Sequence, residues 1–341
     1  MNQSSRHLAP KFRYQLTQFK FGWLLVLGSS SSEPLKYSTM LAIIAPGQGA
    51  QTPGMLNTWL QDSESENLLT SWSQAIGVDL IHLGTKADAE EIKDTANAQP
   101  LIVATSLIAF HALAVKNFSI ASGHSVGELA AAAISGVLSP EDALVLVRTR
   151  GIEMAKAAAS HPTGMAAVLG GDRAEVVAAI ESLGLVAANE NGAGQIVAAG
   201  ELNALENLTQ NPPAGARVRG LAVAGAFHTK FMESAVRPLR ELATGITATN
   251  PRCTVVSNKD GKNLTDGNEI LMRIIDQIAS PVRWDLCMET LKNIGVTGVI
   301  ELAPAGTLIG LLKRAVPEIE GFALKSADDL SAAREFAERH A

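Results

Sequence analysis

A serine hydroxyl attacks a carbonyl only where its surroundings activate it, so the setting of each serine matters more than the number of serines. Ser125 stands in Gly123-His124-Ser125-Val126-Gly127, after a short apolar run and before Val126-Gly127-Glu128-Leu129-Ala130-Ala131, which opens a helix. Strand, tight turn and helix in that order make the elbow that presents a nucleophilic serine. The flanking glycines permit close packing where a side chain would clash. A helix start also supplies free N–H groups and a dipole that favour developing negative charge. The same five residues equally describe a serine that merely caps a helix, and the pattern alone leaves both readings open.

A serine nucleophile needs a base. His82 and His111 fall in predicted helices or at their edges, and His124 adjoins Ser125, where neighbours on an elbow point apart. His228, in Ala226-Phe227-His228-Thr229, follows a predicted strand and begins a predicted helix well downstream. A lone histidine is more often structural than catalytic, and sequence spacing does not reverse that. A second glycine turn, Pro46-Gly47-Gln48-Gly49-Ala50-Gln51, follows the first strand. It lacks the third glycine and distal acid of a dinucleotide fingerprint. A plain turn and a main-chain oxyanion donor are both compatible with it.

These residues need elements to hold them. Short apolar runs alternate with stretches of helical period, which predicts an α/β fold with a mainly parallel sheet. Strands are predicted at 41–45, 119–122, 254–257 and 296–302, and helices at 100–115, 126–135, 140–158 and 268–278. Within 164–224 the pattern reads β-α-β-β-α-β, the order of a ferredoxin-like unit. The expected organisation is therefore a large α/β-hydrolase-like catalytic subdomain with a nucleophile elbow (40–163 and 225–330). A small ferredoxin-like subdomain (164–224) is inserted into it, and a C-terminal helix or tail (331–341) follows. The junction would form a cleft. Residues 164–211 hold six acids and one base, whereas 215–262 hold eight Lys/Arg and three acids.

Composition narrows the class. With 341 residues, 47% hydrophobic and 18% charged, the chain can bury a sizeable core. A formal net charge of −6 does not suit a nucleic-acid binder. Cys253 and Cys287 make no disulfide framework and show no metal-ligand spacing, so a cytoplasmic protein without a metal is expected. The first 39 residues differ: Arg6, Lys11, Arg13, Lys20 and Lys36 face one acid, Glu33, around the apolar run 21–27. That run is too short to span a bilayer and no Ala-x-Ala-like site follows, so a disordered leader is expected before Met40. No membrane association is expected, and nothing demands more than a monomer.

Several motifs together resemble one family, the malonyl-CoA:acyl-carrier-protein transacylases. They are Gly47-Gln48-Gly49-Ala50-Gln51, Gln99-Pro100, Gly123-His124-Ser125-Val126-Gly127-Glu128, Arg150-Gly151, Ala226-Phe227-His228, Ser257-Asn258, Gln277, Pro281-Val282-Arg283-Trp284 and Pro304-Ala305-Gly306. The resemblance runs from Met40 to about Lys325. It implies that Ser125 attacks the malonyl thioester, that His228 is its base, and that the N–H groups of Gln48 and Val126 hold the oxyanion. It implies no triad carboxylate, with a backbone oxygen and Gln277 beside the histidine instead. Arg150 would grip the free malonyl carboxylate, and Gln277, Phe227, Asn258 and His124 would complete the substrate site. Phe227 resembles the bulky residue that accompanies malonyl rather than methylmalonyl in polyketide acyltransferases. Malonyl-CoA would be the substrate, no cofactor would be bound, and phosphopantetheine would arrive on an acidic acyl carrier protein. Arg217, Arg219, Lys230, Lys259 and Lys262 are candidates to steer that partner. A polyketide-type acyltransferase, a serine esterase or thioesterase, which would want an acid between Ser125 and His228 in chain order, and a non-catalytic acyl-binding protein are the alternatives.

Overall fold

A computed structural model describes residues 39–341, so the expected leader lies outside the described residues apart from Thr39. Eleven strands among the described residues form two sheets. They are β1 (Leu41–Ala45), β2 (Ile120–Gly123), β3 (Thr163–Gly170), β4 (Val186–Gly192), β5 (Gln195–Glu201), β6 (Ala216–Gly220), β7 (Thr254–Val256), β8 (Asn263–Leu264), β9 (Val282–Arg283), β10 (Gly298–Glu301) and β11 (Glu320–Ala323). The larger sheet runs β11-β10-β1-β2-β7-β8 and is parallel except for the β7–β8 pair.

β1 shows why the sheet needs cover on both faces. All five of its residues are buried, as in parallel strands roofed on each side. Leu41, Ile43 and Ala45 enter one apolar cluster with helices Ser63–Ile76, Thr95–Leu113 and Pro140–Ala159. Ala42 and Ile44 enter another with helices Trp284–Asn293 and Thr307–Ala315. Helix Thr95–Leu113 is long and apolar enough to cross a membrane, with mean hydropathy 1.3, but 72% of that window is buried inside the fold. It begins five residues before the predicted start at Pro100, with Asp94 capping Ala96 N–H. Proline removes the N–H that would bond to the carbonyl four residues back. Here that carbonyl, on Ala96, accepts from Arg148 Nη1 at 2.9 Å, so the helix continues through Pro100.

The smaller sheet runs β6-β3-β5-β4-β9. Its first four strands are antiparallel, and β9, from far downstream, joins β4 in parallel through Asn189↔Val282 and Glu190↔Arg283. Side chains alternate across a strand. Ala166, Val168, Ile196 and Ala198 pack under helices Arg173–Ser182 and Leu202–Gln210, whereas Met165, Ala167, Gln195 and Val197 line a cleft. The last strand of the predicted β-α-β-β-α-β unit stands at Ala216–Gly220. Beyond Gly220 the chain leaves the sheet, and Leu221 and Val223 owe their apolar character to the cleft they line.

Candidate active site

The carboxyl ends of β1, β2 and β7 converge, the place where open α/β sheets bind ligands. β1 leads into Gly47 and Gln48, β2 into His124 and Ser125, and β7 into Ser257 and Asn258. The elbow is tight. Ser125 has φ +53°, a conformation few non-glycine residues adopt. A Cβ on Gly127 would stand 2.4 Å from the Ala45 carbonyl oxygen, so only glycine lets the helix Gly127–Ile134 start this close to β1.

Ser125 Oγ lies 2.8 Å from His228 Nε2. His228 also has positive φ, +61°, and its Nδ1 lies 2.9 Å from the main-chain oxygen of Gln277, where an Nδ1–H donates. That bond fixes the tautomer that leaves Nε2 free to accept the serine proton. No carboxylate is hydrogen-bonded to His228 among the described residues, which removes the acid an esterase triad would use. Burial and the nearby Arg150 push His228 down to about 3, so the imidazole is neutral at ordinary pH.

Arg150 is 1% exposed. Its Nη1 donates to Gln99 Oε1 at 2.7 Å, and its Nη2 donates to Gln277 Oε1 at 3.0 Å and to Ser125 Oγ at 3.4 Å. Among the described residues no carboxylate makes a salt bridge with it, and burial lowers it to about 10. A buried cation surrounded by neutral acceptors is poised for an anion placed beside Ser125.

The N–H groups of Gln48 and Val126 donate to no other protein group among the described residues, as an oxyanion hole requires. Gln48 is held by its side chain, which donates to Thr95 Oγ1 at 3.3 Å and accepts from Gln99 Nε2 at 3.3 Å. The Ser125 N–H, by contrast, donates to Asn258 Oδ1 at 2.7 Å. Asn258 also donates to the Gly123 carbonyl at 2.7 Å and is fully buried. It clamps the elbow from behind and is not among the residues that line the cleft. Gln277 is likewise behind the elbow, reaching Ser125 O, Asn258 Oδ1 and Glu128. Phe227 and His124 line the cleft, which has a volume of about 270 Å³. His124 Nε2 meets Asn191 Oδ1 at 2.9 Å, joining the elbow to β4, and burial lowers its basicity. Gln99, Glu128 and Asn191 take no role in the sequence reading, although the first two stand inside quoted motifs.

The acyl transferase domain family matches residues 43–334 of this chain. The chain belongs to that family. It is similar to the malonyl CoA-acyl carrier protein transacylase of Mycobacterium tuberculosis, 51% identical over 296 residues that cover 85% of this chain and 98% of the relative. A crystal structure of MCAT from Mycobacterium tuberculosis superposes with a TM-score of 0.83 at 51% identity, covering 86% of this chain and 99% of that one. A type II PKS acyl-carrier protein in complex with its malonyl-transacylase contains a similar chain, with a TM-score of 0.82, 29% identity and coverage of 87% and 99%. The chain is thus an acyltransferase, and at and behind its cleft stand a hydroxyl on a neutral imidazole, two main-chain N–H groups and a buried cation.

Proposed function

We infer that the chain transfers a malonyl group from coenzyme A to the phosphopantetheine thiol of an acyl carrier protein, supplying extender units for fatty-acid synthesis. Ser125 Oγ attacks the thioester carbonyl while His228 Nε2 takes its proton. The oxyanion is held by Gln48 and Val126 N–H. Collapse breaks the C–S bond, the coenzyme A sulfur takes the proton from His228, and a malonyl-Ser125 ester remains. The carrier thiol then gives its proton to His228 and attacks the ester, and Ser125 recovers its proton as it leaves. Two transfers through one covalent intermediate make a ping-pong cycle.

The observation that carries the malonyl reading is Arg150, a buried guanidinium 3.4 Å from Ser125 Oγ with no carboxylate paired to it among the described residues. A planar fork matches a carboxylate in two hydrogen bonds. Phe227, at the cleft wall beside His228, supports a small acyl group. The division into a large hydrolase-like subdomain (40–163 and 225–330) and a small ferredoxin-like one (164–224) is supported by the two sheets and by the strand order β6-β3-β5-β4, with β9 as a further tie. The steering surface proposed for the acidic carrier is supported by the exposure of Arg217, Arg219, Lys230, Lys259 and Lys262. Both cysteines are free thiols, which supports the proposed cytoplasmic location.

The test is intact-protein mass spectrometry after mixing with malonyl-CoA. A malonyl adduct should form on the native chain, be absent in Ser125→Ala and discharge onto a carrier thiol. Rapid release of free malonate without a persistent adduct would instead make the protein a hydrolase.

A further inference from the structure

Glu128 is a buried carboxylate that the two-step cycle does not use. It is 4% exposed and forms no part of the cleft wall. Its oxygens are divided between two residues: Oε1 accepts from Asn258 N–H at 2.7 Å, and Oε2 accepts from the Gln277 amide. Each of these holds the working groups in turn. Asn258 Oδ1 takes the Ser125 N–H, the Gln277 main-chain oxygen orients His228, and Gln277 Oε1 takes Arg150. The Gln277 amide therefore lies between a cation and an anion, with its oxygen toward Arg150 and its NH₂ toward Glu128. Turned over, it would put NH₂ against a guanidinium and oxygen against a carboxylate, two repulsive contacts in a low-dielectric site.

We propose that Glu128 is the positioning residue that orients Gln277 and Asn258 and, through them, Ser125, His228 and Arg150. This rests on the assignment of Ser125, His228 and Arg150 made above. The carboxylate works because it accepts on both oxygens. Once protonated, it presents an O–H to the Asn258 N–H or to the Gln277 amide, donor against donor, and one clamp opens.

The groups facing Glu128 sharpen the prediction. Arg150 comes from helix Pro140–Ala159, Arg273 from helix Gly267–Asp276, and Cys287 from helix Trp284–Asn293, its thiol kept neutral by burial. Burial raises Glu128 to about 7 against the opposing hydrogen bonds from Asn258 and Gln277 and the charges of Arg150 and Arg273. His228 is held near 3 and does not titrate there. An acid limb near neutrality, ordinarily assigned to the catalytic histidine, is therefore expected from Glu128. As pH falls through about 7, Glu128 protonates, the clamp opens and acylation slows.

The experiment follows malonyl-adduct formation on the full chain in single turnovers with malonyl-CoA, from about pH 5.5 to about pH 9, in the native protein and in Glu128→Gln. The native rate should fall below about pH 7, approaching tenfold per unit. Glu128→Gln should be slower by about 10²-fold at high pH, the scale of a misplaced catalytic group, and should lack that limb. Its KM for malonyl-CoA should stay level or fall, because removing an anion near Arg150 leaves the cation freer for the malonyl carboxylate. A native rate that is flat across neutrality overturns the proposal, as does a variant with the native rate and limb, or one whose KM rises as much as its rate falls. If Glu128→Gln fails to fold, Glu128→Asp takes its place: a carboxylate one methylene short of Asn258 and Gln277 should slow acylation at high pH, and a native rate in that variant overturns the proposal. No adduct at any pH would remove the Ser125 assignment itself, whereas an adduct formed at a pH-independent rate would remove only the role of Glu128.

Discussion

At the scale of single residues, the proposed malonyl selectivity turns on Arg150. Taking a guanidinium out of water is costly unless its donors are matched, and here they meet only amide and hydroxyl oxygens. On the proposed reading a malonyl carboxylate would supply the missing charge, whereas an acetyl group would leave the cation unmatched, a mismatch worth roughly 10⁴-fold in selection. Arg150→Lys keeps the charge and loses the fork. Its kcat/KM for malonyl-CoA should fall by about 10²-fold or more while that for acetyl-CoA changes little, compressing the ratio. An unchanged malonyl-to-acetyl ratio would remove Arg150 from substrate selection. Ser125 was legible because the elbow is local in sequence and His228 through the family resemblance, but the supporting bonds of Gln99, Glu128 and Asn258 were not. Gln99, Glu128 and Asn258 act through bonds to residues 51 to 135 positions away in the chain, and no local spacing encodes such contacts. Asn258 illustrates the limit: its motif marked it as important, but only the fold shows that its amide faces the elbow and not the cleft.

Elements position these residues by how closely their backbones approach. The helix Gly127–Ile134 begins against the end of β1, so the N–H groups of Gln48 and Val126 can face one point. Gly127→Ala puts a Cβ 2.4 Å from Ala45 O and 2.7 Å from Pro46 O, and backbone cannot yield as a side-chain tip can. The variant should lose about 1–3 kcal/mol of stability and spread the two donors, slowing acylation beyond what the stability loss explains. Gly310→Ala is the control. It lies in helix Thr307–Ala315 with nothing nearer than 3.9 Å, and should be neutral or stabilised by about 0.4–1 kcal/mol. Denaturant midpoints and adduct rates check both, and equal behaviour of the two variants would refute the close-approach argument. The helices predicted at 126–135, 140–158 and 268–278 and the buried strands β1 and β2 follow the sequence periodicity to within two residues. The two-residue strands β8 and β9 and the half-exposed β11 do not, because too few residues alternate to show a period.

Across the whole molecule, two of the buried titrating groups, Glu128 and His228, pull stability in opposite directions with pH. Glu128 binds its proton more tightly folded than unfolded, so from about 4.5 to about 7 its ionisation opposes folding and stability falls as pH rises. His228 is depressed from 6.5 to about 3, so over that range the unfolded chain binds the extra proton and stability rises with pH. Between roughly pH 4.5 and 6.5 the two slopes, each about 1.4 kcal/mol per unit at most, cancel in the native protein. Glu128→Gln removes one of them. Every other titrating group contributes to both proteins and drops out of their difference. The Tm of the variant minus that of the native protein should therefore climb between about pH 4.5 and about pH 7, by up to about 3 kcal/mol of stability or several degrees. Parallel melting curves would show that Glu128 ionises in the fold as it does in water, and the acid limb of acylation would then need another owner.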